Sequence, residues 1–261
     1  MTEYQKSRQG KIRSTDTLKY SVMPVIDILG NLHPSDMSDI IAEDYARKRK
    51  RANGTVIREL GVLRAALHWA ERQKLIVAPK FLMPVAHPAP RERWITRDEA
   101  RKLLDAAKAP HMRLFITLAL STGARTGAIL DLKWNQIDWE RGVIDFGKGH
   151  GKKRRAIVPI NDQLRDALEE NLEARTTDNV IEYGGKPIKK IIYGFRDVAQ
   201  RAGVECTPHI LRHSVATWLV MDGLPIREVA RMIGDTEETV EKVYGHHSPE
   251  YLKGAANALQ F

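Results

Sequence analysis

Four prolines lie within residues 79–92, and they exclude a continuous helix through this segment. Proline lacks a backbone N–H and its ring clashes with the preceding helical turn, so a regular helix cannot continue here. The 261 residues are enough for two modest domains, each with its own core. The sequence therefore predicts a linker between two domains, marked by Pro79, Pro84, Pro88 and Pro90.

The residues before the linker have a helical pattern. Residues 1–15 are polar and basic, and we expect them to form a loose arm. Residues 16–78 are predicted to form a helical domain, with the clearest helix over residues 55–74. The apolar face of that helix is formed by Ile57, Leu60, Leu63, Leu67 and Ala70.

The residues after the linker, 93–261, have a mixed pattern. Thr96 and Glu99 have the spacing of a capping box, which predicts that a helix begins at residue 97. The predicted fold class is mainly α with a small antiparallel β-sheet in this second domain. Apolar spacing predicts helices at 97–108, 110–121 and 125–131, a small sheet near 135–160, and helices from there to the end.

The net charge indicates what kind of partner the protein binds, and the number of cysteines indicates the cellular compartment. The formal net charge is +9 and the pI is about 9.6, which favours a polyanionic partner. Cys206 is the single cysteine, so no disulfide can form within the chain and a reducing compartment fits. The longest apolar run, residues 114–120, is far too short to span a bilayer. We therefore expect a cytoplasmic protein with no membrane contact.

Two basic runs are candidates for contacts with the phosphates of a nucleic acid. The first precedes the clearest helix of the first domain, and the second lies in a predicted hairpin of the second domain. A solvated helix end and a solvated turn are the respective alternatives. The residues are Lys48, Arg49, Lys50 and Arg51 in the first run, and Lys152, Lys153, Arg154 and Arg155 in the second.

Three short stretches carry the side chains for a reaction at phosphorus. Arg125 ends the run Thr-Gly-Ala-Arg, Arg212 lies within His-Ile-Leu-Arg-His, and Tyr244 follows later in the chain. Two guanidinium groups can each bind two phosphate oxygens and never lose their charge. His209, three positions before Arg212, can move a proton, and a tyrosine can act as a nucleophile that becomes covalently attached.

Together these stretches resemble the tyrosine recombinase (phage integrase) family, which breaks and rejoins DNA through a phosphotyrosine. The resemblance is specific over residues 95–258 and looser over residues 15–80. It implies a two-domain clamp on double-stranded DNA, with a helical core-binding domain at 16–78 and an α+β catalytic domain at 93–261. It also implies the site roles: Arg125 and Arg212 hold the scissile phosphate, His209 assists proton transfer, and Tyr244 is the nucleophile.

The same resemblance implies a catalytic lysine and a form of assembly. The family's lysine, which protonates the departing 5′ oxygen, lies in a β-hairpin where Lys148 matches, with Lys152 as the alternative. No metal or cofactor is implied, and His246 and His247 lack companion ligands at the spacing of a metal site. The family acts as a homotetramer on DNA. This is compatible with a monomer in the free state and with an accessory DNA-bending or directionality protein.

Two positions depart from the family pattern. Ala128 lies where a glutamate is usual, and Asp235 lies where a histidine or tryptophan is usual, close to the reaction centre. An ionised aspartate repels a phosphate. We therefore expect Asp235 to turn away and pair with a basic group, such as Arg231 or one in the hairpin. His213 is expected to brace its helix rather than to take part in the chemistry.

The leading hypothesis is a site-specific recombinase that integrates or excises a phage or other mobile element. One alternative is a catalytically impaired DNA-binding protein on the same fold, for which Asp235 and Ala128 would be the signs. Another is a type IB topoisomerase-like enzyme, which shares the chemistry. The apolar C-terminal stretch, residues 251–261, either docks into a neighbouring protomer or packs on its own domain.

Overall fold

The computed structural model describes residues 2–10, 15–87, 93–147, 156–248 and 253–258. The chain forms two compact units, residues 1–91 and residues 92–261. Within the described ranges, every helix is too short or too polar to serve as a transmembrane span. The mainly helical fold with small antiparallel sheets confirms the predicted fold class.

The first unit is helical. Its second and fourth helices pack against each other, and their buried side chains, including Val25 and Leu60, belong to one apolar core. Residues 2–8 also form a helix, so the prediction of a loose arm is wrong there. The ring of Tyr4 lies 6.1 Å from the ring of Trp69, an apolar contact that holds this segment. The helices are α1 (Thr2–Arg8), α2 (Thr15–Leu29), α3 (Asp39–Arg49) and α4 (Asn53–Arg72).

The first part of the predicted linker, residues 79–87, packs onto the first unit. Phe81 is buried in its core, and the guanidinium of Arg64 lies 4.8 Å above the Phe81 ring. The backbone N–H of Leu82 donates to the Asp39 carboxylate at 2.6 Å. Prolines prevent a helix here, but they do not prevent an aromatic side chain from reaching the core.

A buried carboxylate ties α3 to α4. Glu59 is 1% exposed and accepts hydrogen bonds from the Tyr45 hydroxyl at 2.8 Å and from Arg49 at 2.9 and 3.0 Å. The Arg49 guanidinium is thus used inside the unit, and we remove Arg49 from the predicted phosphate contacts. Lys48, Lys50 and Arg51 are exposed.

We expect Glu59→Gln to lower the unfolding free energy of the first unit by about 3 kcal/mol. The substitution leaves the charge of Arg49 without its partner in a largely buried place. Hydrogen exchange of the full chain, measured by mass spectrometry, resolves α3 and α4 from the second unit. Glu43→Gln, on the exposed side of α3, is the control. Equal protection of both variants would contradict the prediction.

The second unit combines helices with small sheets. Strand β2 is central in an antiparallel three-stranded sheet, where Ile144 faces Ile137 of β1 and Val158 of β3. All three side chains are buried, so one face of this sheet packs into the core of the second unit. The elements up to the second sheet are α5 (Arg97–Ala106), α6 (Pro110–Thr122), α7 (Thr126–Asp131), β1 (Ile137–Asp138), β2 (Val143–Asp145), β3 (Ile157–Pro159), α8 (Asp162–Glu173), β4 (Glu182–Tyr183) and β5 (Lys186–Pro187).

The helices that follow form the platform of the candidate site. The run Thr207-Pro208-His209 is typical of a helix start, and Thr207 caps α10. The capping box predicted for Thr96 and Glu99 is confirmed at α5. Helices α10, α11 and α12 share an apolar cluster that includes Val215, Val229 and Tyr244. The helices are α9 (Ile192–Ala202), α10 (Pro208–Met221), α11 (Ile226–Ile233), α12 (Glu237–Tyr244) and α13 (Lys253–Ala258).

Candidate active site

Two glycine turns lie side by side at the centre of the site. Helix α6 ends at Gly123 with φ of 61°, and α11 ends at Gly234 with φ of 68°, a region that favours glycine. A Cβ on Gly123 would lie 2.8 Å from the Ile233 side chain and 3.1 Å from that of Val215. The first turn therefore needs glycine for its conformation and for its close approach to the second.

Arg212 joins the two turns from α10. Its side chain is 5% exposed, and Nη1 donates to the carbonyl of Gly123 at 2.8 Å and to that of Ile233. Nη2 donates to Asp235 Oδ2 at 2.6 Å. Burial is the main cause that lowers the pKa of Arg212, and the charge of Arg125 adds to it, while Asp235 opposes both. An arginine keeps its charge in proteins, so a buried cation stands at this point.

Arg125 approaches the same carboxylate from the start of α7. Its Nη1 donates to the Gly234 carbonyl at 2.7 Å, and its Nη2 donates to Asp235 Oδ2 at 2.8 Å. One carboxylate oxygen thus bridges both guanidinium groups. Asp235 pairs with basic groups, as predicted, but its recorded partners are Arg125 and Arg212 rather than Arg231, because the turn after Gly234 directs its side chain towards them. The basic residues of the hairpin, the other predicted partners, lie outside the described residues. We call Arg125, Arg212 and Asp235 the arginine cluster.

Tyr244 ends α12 and is linked to two histidines of α10. Its hydroxyl lies 2.6 Å from His213 Nδ1, and His213 Nε2 lies 3.0 Å from His209 Nε2. Burial raises the pKa of Tyr244 to about 12, against the opposing charge of Arg212. Burial and then the neighbouring His209 and Arg212 lower the pKa of His213 to about 4. Tyr244 is therefore a protonated phenol at neutral pH, beside an uncharged imidazole.

The structure brings together Arg125, His209, Arg212, Asp235 and Tyr244 from the predicted site. His209 is exposed at the rim, and its pKa is lowered by partial desolvation and by the charges of Arg212 and Arg125. The predicted lysine of the hairpin, Lys148, and the basic residues Lys152, Lys153, Arg154 and Arg155 lie outside the described residues. Among the residues that are described, no three His, Cys, Asp or Glu side chains group as metal ligands would.

His213 is the site residue that sequence reasoning assigned only to bracing. The signal was its position four residues after His209, which places both rings on one face of α10. Their ring centres are 4.4 Å apart, and the His213 ring lies 5.6 Å from that of Tyr244. Ala128, the other departure from the family pattern, is buried in the main core of the second unit.

The second unit is mainly helical with small sheets, and it places two arginines around one anion and a tyrosine beside histidines. This combination is typical of enzymes that cleave and rejoin DNA strands with a tyrosine. The sequence model of the phage integrase family matches residues 93–250. The chain belongs to this family of tyrosine-type site-specific recombinases.

Named relatives agree with this membership. The chain is 30% identical to the tyrosine recombinase XerA of Thermococcus kodakarensis over 216 residues, which cover 78% of this chain and 76% of that protein. It is 30% identical to the integrase of Salmonella phage P22 over 229 residues, which cover 82% of this chain and 59% of the integrase. A crystal structure of a lambda integrase tetramer bound to a Holliday junction has a TM-score of 0.69 at 18% identity, with 90% of this chain and 76% of that one covered.

We expect Asp235→Asn to lower the unfolding free energy of the second unit by about 1–3 kcal/mol, because two guanidinium groups lose the charge that they share. Urea denaturation of the full chain measures this change. Asp222→Asn is the matched control, because its ion pair with Arg97 is more than half exposed and such pairs contribute about 0–1 kcal/mol. Equal losses of unfolding free energy in the two variants would show that the pairing of Asp235 with Arg125 and Arg212 stabilises the fold no more than an exposed ion pair does.

Proposed function

We propose that this chain cleaves and rejoins DNA at a specific site through a covalent 3′-phosphotyrosyl intermediate on Tyr244, for the integration or excision of a phage or other mobile element. The observation that carries the proposal is the convergence of Arg125 and Arg212 on one anion, 2.8 and 2.6 Å from Asp235 Oδ2. A point where two guanidinium groups share an anionic oxygen is a place where a phosphate oxygen can bind.

The chemistry follows from these charges. The Tyr244 oxygen attacks the scissile phosphorus, the bond from phosphorus to the 5′ oxygen breaks, and the 3′ phosphate stays on the tyrosine. Arg125 and Arg212 stabilise the extra negative charge that develops at phosphorus, which is worth roughly 3–4 kcal/mol for one well-placed donor. We assign the proton for the departing 5′ oxygen to Lys148, on the family resemblance. Attack by a 5′ hydroxyl on the phosphotyrosine reverses the step and rejoins the strand.

Asp235 gives the arginine cluster two states. Without DNA, its carboxylate holds both guanidinium groups in place and balances their charge. With DNA, the scissile phosphate brings a second anion to the same two donors, and the two negative groups repel each other. Asp235 therefore positions the two guanidinium groups in the absence of DNA. When DNA binds, Arg125 and Arg212 must donate to the phosphate as well as to Asp235, or in place of it. We expect Asp235→His to keep or raise the rate of cleavage and Asp235→Asn to cost little, as measured by covalent complex formation on DNA; a large loss in both variants, with folding and DNA binding intact, would contradict this expectation.

The partner in this proposal is double-stranded DNA in the cytoplasm. Lys48, Lys50 and Arg51 in the first unit, which are exposed, supply phosphate contacts together with the hairpin residues Lys152, Lys153, Arg154 and Arg155. Assembly as a homotetramer on two DNA sites is supported by the fold shared with the lambda integrase tetramer on a Holliday junction. A free monomer and an accessory DNA-bending or directionality protein are compatible with this proposal.

The test uses a binding site selected from a random-sequence DNA library by the protein itself. A duplex with that site, nicked opposite the cleavage point, is incubated with the protein in EDTA, and denaturing electrophoresis detects a covalent protein–DNA band. A site-dependent band supports the proposal. Binding without a band at any nick position indicates a catalytically impaired DNA-binding protein. Relaxation of supercoiled plasmids that lack the site indicates a topoisomerase-like enzyme.

A further inference from the structure

The proton of the Tyr244 hydroxyl needs an acceptor. The phenol is 7% exposed and its pKa is raised to about 12, so it does not lose its proton to bulk water at neutral pH. Among the described residues, the polar atom recorded within hydrogen-bond distance of the hydroxyl is His213 Nδ1, at 2.6 Å. Arg125 and Arg212 cannot take this proton, because a guanidinium is a donor only, and the recorded hydrogen bonds of the Asp235 carboxylate go to those two guanidinium groups and to the Thr236 N–H rather than to the phenol.

We propose that His213 is a catalytic residue whose Nδ1 receives the proton of Tyr244 during attack on phosphorus, while the proton on its Nε2 passes to His209. The inference rests on the proposed function, since it assigns the base for the proposed nucleophile. The distances of 2.6 Å from the Tyr244 hydroxyl to His213 and 3.0 Å from His213 to His209 form one continuous chain.

The tautomers are fixed by this chain. For His213 Nδ1 to accept from the phenol, its own proton must be on Nε2, and that proton then points at His209 Nε2. After the transfer, the Tyr244 oxygen is bonded to phosphorus, His213 is neutral with its proton on Nδ1, and His209 is a cation. The 5′ oxygen takes its proton from a separate acid, so the atoms and charges of the step balance.

The charges nearby make this transfer depend on DNA. The hydrogen-bonded path from Tyr244 to His209 is surrounded by charged and titratable groups of several elements. These are His209 and Arg212 on α10, Arg125 before α7 and Asp235 after α11. Without a phosphate, partial burial and then the charges of Arg212 and Arg125 lower the pKa of His209, so both oppose a proton on it. The negative charge that grows at phosphorus offsets this repulsion. The tyrosine thus becomes a nucleophile only when its target is bound.

The test measures the rate of covalent complex formation on the nicked duplex for His213→Asn. Asparagine places a hydrogen-bonding group near the position of Nδ1 but cannot pass a proton on. We expect the rate at neutral pH to fall by about 10²–10⁴-fold, the usual contribution of a general base, with DNA affinity unchanged. As pH rises towards 10, hydroxide removes the phenol proton directly, and we expect the defect to shrink. His68→Ala, a histidine of the first unit, is the control.

A second measurement separates the nucleophile from the leaving group. A substrate with sulfur in place of the bridging 5′ oxygen needs no proton on departure, so it should rescue a variant that lacks the general acid, such as Lys148→Ala. It should not rescue His213→Asn. Rescue of His213→Asn, or a defect that is the same at every pH, would overturn the relay. So would a rate within threefold of wild type.

Folding and function are kept apart in this design. Where His213→Asn proves unfolded, wild-type protein with fluorotyrosine at position 244 replaces it. Fluorination lowers the pKa of the phenol, so a rate limited by proton removal must change its dependence on pH, and an unchanged profile overturns the relay. Failure of wild-type protein to form any covalent band defeats the proposed function instead, and with it the premise of the inference.

Discussion

Tyr244→Phe is expected to abolish the covalent protein–DNA complex, with a loss of at least roughly 10⁴-fold in rate, as for removal of an enzymic nucleophile. The substitution removes one oxygen and leaves the ring in the apolar cluster of α10, α11 and α12. DNA affinity should therefore remain within about threefold of wild type. The measurement is denaturing electrophoresis of the nicked duplex, alongside a binding titration at fixed salt, since affinity depends steeply on salt.

The stability of Tyr244→Phe gives an independent check. The variant loses the hydrogen bond to His213, which corresponds to about 0.5–1.5 kcal/mol, and should still unfold in one cooperative step for the second unit. Tyr193→Phe, whose ring is exposed, and Tyr251→Phe are the matched controls. A covalent band from Tyr244→Phe, together with its loss in Tyr251→Phe, would assign the nucleophile to the other tyrosine.

Local patterns made several features predictable. Thr96, Glu99 and Thr207 cap helices through bonds within one turn, so their sequence spacing is enough to place the helix starts. The small sheet near residues 135–160, with its strand around Ile144, was predicted from a short stretch of residues of the β type, which is a local property of the sequence. The motif residues Arg125, Arg212 and Tyr244 were identified because their types suit a phosphate and a covalent intermediate, and the fold brings them into one region.

Features that depend on distant geometry were not predictable. Asp235 meets Arg125 and Arg212 because two glycine turns from different helices lie side by side, and no local pattern encodes that approach. The role of His213 depends on where α12 ends relative to α10, which decides that its ring faces Tyr244. Phe81 lies in a segment defined by its prolines, yet its burial depends on a pocket formed by α4 and its neighbours.

Arg212→Lys is expected to reduce cleavage by about 10²–10³-fold, the usual cost of losing one preorganised donor at a developing charge. Lysine keeps the positive charge but offers a single ammonium in place of a planar fork. That ammonium cannot reach the carbonyls of Gly123 and Ile233 and still present a donor beside Asp235. The measurement is the rate of covalent complex formation on the nicked duplex under single-turnover conditions.

The same variant should also lose about 1–3 kcal/mol of unfolding free energy, because a buried carbonyl of a glycine turn is left without its donor. Arg125→Lys is the matched comparison. Its side chain is 31% exposed, against 5% for that of Arg212, and it bonds the second turn through the Gly234 carbonyl and Asp235. We therefore expect a similar loss of cleavage from Arg125→Lys with a smaller loss of stability. If the two variants are equally stable, Arg212 does not fasten the two turns together, and its role is limited to the phosphate.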